Sequence, residues 1–177
     1  MKTYVALLRG INVSGQKKIK MADLKLHLEE LHFQNIQTYI QTGNVIFRTS
    51  KTALKSLEKN IQKKIKEKYG FEVSVMVKTP EEFTTILKNI PFSTIEDYGK
   101  LYFTLLTENP SLDLVEKLKN IDYSPEVYYI DKKTIYVYVP NGYGRAKINN
   151  NFFEKKLKVS ATTRNWKTMY KLLEMTS

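Results

Sequence analysis

The apolar residues of the first 78 positions switch between a two-residue and a 3.6-residue repeat in a set order, and that order restricts the fold more than composition does. Residues 3–9 form a short apolar run rich in β-formers, closed by Gly10, which reads as a strand buried on both faces. A polar, glycine-containing loop follows over 11–20. Met21, Leu24, Leu28 and Leu31 then fall on one stripe and predict an amphipathic helix over 21–33, with His27 on the flank of the stripe. Two strand-like runs, 36–40 and 44–49, are separated by Gln41-Thr42-Gly43 and read as a hairpin. A second helix places Leu54, Leu57, Ile61 and Ile65 inward and Lys55, Lys59, Lys63 and Lys66 outward until Gly70 stops it. Residues 71–78 alternate as a half-buried strand, so the succession is βαββαβ.

Thr79-Pro80-Glu81-Glu82 combines a threonine cap, proline at the first helical position and glutamate three residues after the cap. That helix carries Phe83, Ile86, Leu87 and Ile90 inward and ends at Pro91. The register then restarts: a strand over 101–107, a helix opened by Asn109-Pro110 with Leu112, Val115 and Leu118 inward, strands over 126–131 and 134–139, and a helix over 148–157, with room for a short strand around Val159. A last helix is expected from about Thr163, packing Trp166, Met169, Tyr170 and Leu173 along one side. The expected fold is α+β: two tandem ferredoxin-like units with antiparallel sheets, helices on one face of each, and a C-terminal helix. The first unit spans 1–78, a linking helix and connector 79–100, and the second unit 101–177.

Four stretches resemble one known family. Leu7-Leu8-Arg9-Gly10-Ile11-Asn12-Val13, Tyr39-Ile40-Gln41-Thr42-Gly43-Asn44-Val45, Gly142-Tyr143-Gly144-Arg145 and Ala161-Thr162-Thr163-Arg164-Asn165-Trp166 are similar, in that order, to motifs of the bacterial domain-of-unknown-function family one-six-nine-seven. Ser14, Ala146 and Lys167 depart from it, standing where glycine, serine and asparagine are usual. The resemblance implies an α+β fold built from ferredoxin-like repeats and no established activity.

Several chemistries lack their residues. There is no cysteine, so disulfides and thiolate metal sites are excluded, and the composition suits a reducing cytoplasm. The apolar run at the N-terminus is too short for a signal peptide or a membrane span. His27 and His32 are five residues apart and would point about 140° from each other on a helix, which leaves no expected metal site. No cofactor is expected. Gly10 to Gly15 superficially resembles a P-loop, but Gln16-Lys17-Lys18 follows where that motif needs lysine and then serine or threonine. No nucleophile elbow or Ser-His-Asp pattern appears.

What remains is positive charge and aromatic rings. A net charge of +11 permits a polyanionic partner, although solvated lysines on helix faces explain most of it. Tyr129, Tyr136 and Tyr138 would share one side of a hairpin turned at Lys132-Lys133, as a base-stacking platform or a packing surface. With 25 lysines against 4 arginines, general charge is supplied by lysine, and an arginine points to bidentate hydrogen bonding or stacking. Arg145 and Arg164 both lie in the stretch that also holds Trp166, the only tryptophan. The expected ligand site is therefore Arg145 and Arg164 as anion holders, Thr163 and Asn165 at a helix N-terminus, Tyr143 and Trp166 as walls, and Arg9 as a third donor. The expected partner is nucleic acid or a phosphorylated small molecule. The alternatives are an enzyme acting on a small phosphorylated or nucleotide-like substrate, and a structural or partner-binding protein whose arginines only knit the repeats together.

Overall fold

The computed structural model describes every residue, Met1–Ser177. It divides into two units, one formed by Met1–Thr85 with Lys171–Ser177 and the other by Ile86–Tyr170. The first contains β1 (Lys2–Leu8), α1 (Met21–Glu29), β2 (Gln34–Tyr39), β3 (Asn44–Thr49), α2 (Leu54–Tyr69) and β4 (Val75–Lys78). Its sheet runs β2-β3-β1-β4 with every pairing antiparallel. The second contains β5 (Leu101–Leu106), α4 (Leu112–Lys119), β6 (Val127–Asp131), β7 (Thr134–Tyr138), α5 (Asn150–Leu157) and β8 (Ala161–Asn165), in the matching order β6-β7-β5-β8. These are two α+β, ferredoxin-like sheets in tandem. α3 (Pro80–Lys88) follows the first and α6 (Trp166–Met175) the second.

In the first unit Tyr4, Ala6 and Leu8 of β1 share a core with Leu24 and Leu28 of α1 and Leu57, Ile61 and Ile65 of α2. Both helices thus cover one sheet face, and each buried leucine or isoleucine contributes about 2 kcal/mol. Val5, Leu7, Ile46 and Met76, which point to the other face by strand alternation, are buried too. That double burial is what the uninterrupted apolar run of β1 encodes. α2 ends where expected, on Gly70 in the left-handed region. The threonine-proline start of α3 is a capping box: Thr79 N donates to Glu82 Oε2 at 2.8 Å and Glu82 N to Thr79 Oγ1 at 3.3 Å.

The Asn12 side chain ties together the loop after β1. Asn12 Nδ2 donates to the carbonyls of Ile19 (2.9 Å) and Gln41 (2.8 Å), and Ile19 N donates back to Asn12 Oδ1 at 2.8 Å. Ile11 and Ile19 are buried, so the stretch read as a polar loop carries two core anchors. Gly43 passes directly over β1; Leu8 N donates to its carbonyl at 2.7 Å, and a Cβ there would meet Leu8 Cβ at 2.6 Å.

Three readings of the second unit need correction. Residues 161–165 form strand β8 beside β5, not the start of a helix; the helix begins at Trp166. Leu112 is 79% exposed and α4 is capped by Ser111, whose Oγ accepts from Leu114 N, so Asn109-Pro110 does not open it. On α6 the buried residues are Thr168, Met169 and Leu172, while Tyr170 is half exposed.

Candidate functional site

β5 begins, and β7 and β8 end, at the same edge of the second sheet. Leu101 pairs with Tyr138, Tyr102 pairs with Asn165, and Val139 N donates to Lys100 O at 3.0 Å. The chain leaves β7 there into a short 3-10 turn, Tyr143–Arg145. The Tyr143 side chain braces that turn. The Tyr143 ring stacks on Tyr102 at 4.4 Å with 23° between planes, and its hydroxyl accepts from Asn150 N, the first residue of α5, at 2.8 Å. Burial pushes the Tyr102 phenol above its ordinary pKa. Arg145 is exposed at the end of this braced turn, and no carboxylate pairs with it.

Thr163 joins the same construction from the sheet. Its Oγ1 donates to Asn150 Oδ1 (2.8 Å) and lies 2.8 Å from Thr104 Oγ1 on the paired strand. Downstream of the turn, Lys147 N and Ile148 N donate to the Glu126 carboxylate at 3.0 Å. The approach to α5 thus holds a carboxylate of the chain's own.

Strand alternation separates the two arginines. Thr163 lies opposite Thr104 and Asn165 opposite Tyr102, on the face where α4 and α5 pack; Arg164, opposite Phe103, is on the other face. Residues 161–165 are an edge strand, so their backbone pairs with β5 on one side, and Ala161 N donates to Glu154 Oε1 at 2.8 Å. The anion-binding N–H groups expected around Thr163 are not those of a helix end. Arg164 is half-buried, and burial lowers its pKa to about 10. Its Nη1 donates to the carbonyl of Thr163 at 2.9 Å. Asn165 caps α6, its Oδ1 accepting from Thr168 N at 2.8 Å. Arg9 is in the first unit, just past β1, with its backbone N on Ser74 O at 2.9 Å.

Trp166 opens α6 at this same edge and forms a row of rings. Tyr98, in a 3-10 turn just ahead of β5, lies 5.1 Å from it, and Tyr170 stacks on it at 5.2 Å and 21°. Tyr98 is 46% and Tyr170 49% exposed. The other aromatic face, on β6 and β7, has the expected register, since Tyr129 pairs with Tyr136. Tyr136 is buried there, donates to Ile86 O at 3.0 Å and has its pKa pushed up to about 12 by burial. Tyr138 packs near Phe92, which makes that face a packing surface more than a platform. Nowhere do three or more histidine, aspartate or glutamate side chains gather in a group that could hold a metal ion.

The sequence reading missed Tyr98, Tyr102, Thr104, Asn150 and the exposed side of Tyr170. The signal was the internal repeat. The first unit ends βαβ and the second had to end the same way, which puts a strand at 161–165 and carries Trp166 to the edge where β5 begins.

Two antiparallel sheets of identical strand order, one ending in an arginine turn and a row of rings, define a tandem ferredoxin-like protein. The chain belongs to the family described as protein of unknown function (DUF1697), whose model matches residues 1–136 and so ends ahead of Arg145. Among solved structures it is similar to the conserved bacterial protein SP0830 from Streptococcus pneumoniae. The TM-score is 0.78 at 25% identity, over 99% of this chain and 98% of that one. No curated protein matches the chain. No helix is long and apolar enough to cross a membrane.

Proposed function

We propose that this protein binds an anionic ligand, a nucleic acid or a phosphorylated small molecule, in the cytoplasm, through the Arg145 edge of its second sheet. The observation that supports the reading is the state of Arg145. An exposed guanidinium with no carboxylate partner, on a turn braced by a tyrosine stack and a helix N-terminus, is positioned without being used. A donor held this way loses less freedom on binding, and its fork suits phosphate or carboxylate oxygens. Net charge of +11 would attract such a ligand from a distance. Arg164, turned to the opposite face and bonded to Thr163 O, takes a supporting role, and Asn165 keeps α6 in place.

The geometry favours binding over catalysis, because Arg145 stands in the open and not in a closed cleft where a shifted acid or base could act. Filter binding to single- and double-stranded oligonucleotides, from about 50 to about 200 mM salt, tests the reading. Affinity should fall steeply with salt, and Arg145→Ala should reduce the log-log slope by about 1. Inorganic phosphate as competitor separates a small-ligand site from a polymer track. Affinity indifferent to both salt and Arg145→Ala would refute it.

A further inference from the structure

We infer that Tyr98, Trp166 and Tyr170 form a base-stacking platform, so that the anionic ligand of the Arg145 edge is a single-stranded nucleic acid. The inference rests on the anion-binding reading above and narrows it to one ligand class. Aromatic rings in contact ordinarily lie in a core, yet here the two that flank Trp166 each keep about half their surface in solvent, Tyr170 stacked on Trp166 and Tyr98 tilted against it. The α6 helix did not need them for packing, since Thr168, Met169 and Leu172 fill that role from its buried side.

The surroundings select among ligands that stack on aromatics. Lys167 is exposed on the turn of α6 between Trp166 and Tyr170, and Lys100 ends the 3-10 turn that carries Tyr98. Arg145 ends the turn that follows β7, and the last residue of β7 pairs with the first residue of β5. Exposed rings with lysines next to them in the chain match a strand that carries both bases and phosphates, and stacking of this kind tolerates any base sequence. A duplex hides its base faces and would leave the platform unused. A neutral sugar or a proline-rich peptide would use the rings without the cations.

Trp166 is the only tryptophan, so its fluorescence reports on the platform directly. The full chain is titrated with a thymidine oligonucleotide of about a dozen nucleotides and with an abasic strand of equal length and charge. The thymidine strand should quench Trp166 and bind about tenfold tighter than the abasic one, and Tyr98→Leu or Tyr170→Leu should each erase most of that advantage. Both tyrosines are exposed, so these variants fold. Equal binding of the two strands without quenching overturns the platform and leaves anion binding standing. Binding of neither strand overturns both. Quenching by a proline-rich peptide, with the oligonucleotide silent, also overturns the platform as a nucleic-acid site.

Discussion

Removing the Asn12 side chain should unlatch the loop that follows β1. Its amide makes three hydrogen bonds of 2.8 to 2.9 Å, to Ile19 O, Gln41 O and Ile19 N, and Ile19 is buried, so water cannot freely replace the two that Ile19 makes. At about 1 kcal/mol net per bond, Asn12→Gly should cost about 3 kcal/mol. Asn12 sits at φ 55°, where alanine is strained and asparagine is tolerated, so Asn12→Ala should cost about 1 kcal/mol more. With a urea m-value of about 2 kcal/mol/M, the midpoint should drop by about 1.5 M for glycine and about 2 M for alanine. Asn12→Asp should be worse than glycine at neutral pH, because it turns a carboxylate toward the carbonyl of Gln41. That disfavours the charged form and raises its folded-state pKa, so stability should return as pH falls through that pKa. The assay is urea unfolding by circular dichroism. A glycine midpoint shift below about 0.3 M, or an aspartate variant as stable as the parent, would refute the latch.

Gly43→Ala should destabilise by about 2 to 4 kcal/mol, seen as a lowered thermal midpoint, since φ is +87° and the new Cβ would meet Leu8 Cβ at 2.6 Å. Arg145→Ala should leave the unfolding free energy within about 0.5 kcal/mol of the parent, measured by urea, while weakening oligonucleotide binding. Arg164→Ala should lower the unfolding free energy by about 1 to 3 kcal/mol, because its guanidinium is half-buried and hydrogen-bonded. Equal effects of the two on stability would dissolve the distinction between them. Glu30 is held at a pKa of about 2 by Lys68, His27 and Lys64, below its ordinary 4.5. Its depressed folded-state value means the contribution is present above pH 4.5 and lost as pH falls toward 2. The stability difference between the parent and Glu30→Gln, measured by urea unfolding across that range, should therefore shrink on acidification.

The sequence by itself determined the elements and their order. The helical stripe of α2, the capping box at Thr79, the hairpin about Gly43 and the doubly buried run of β1 are local patterns, written within a few residues of one another. They suffice for two α+β units because a stripe or an alternation must bury its apolar side in any fold it joins. The stretch from about Thr163 reads as a helix start because Thr-Arg-Asn carries a capping residue and a following apolar stripe, and nothing local reveals β5 waiting as a partner. Only the tertiary structure decided which side chains share a place. The ladder to β5 puts Thr163 and Arg164 on opposite faces, and the closing of the sheet brings Tyr98, some 68 residues from Trp166, against it. Such meetings depend on strand register, and register is fixed by the sum of many pairings spread along the chain, so no short stretch of sequence contains it.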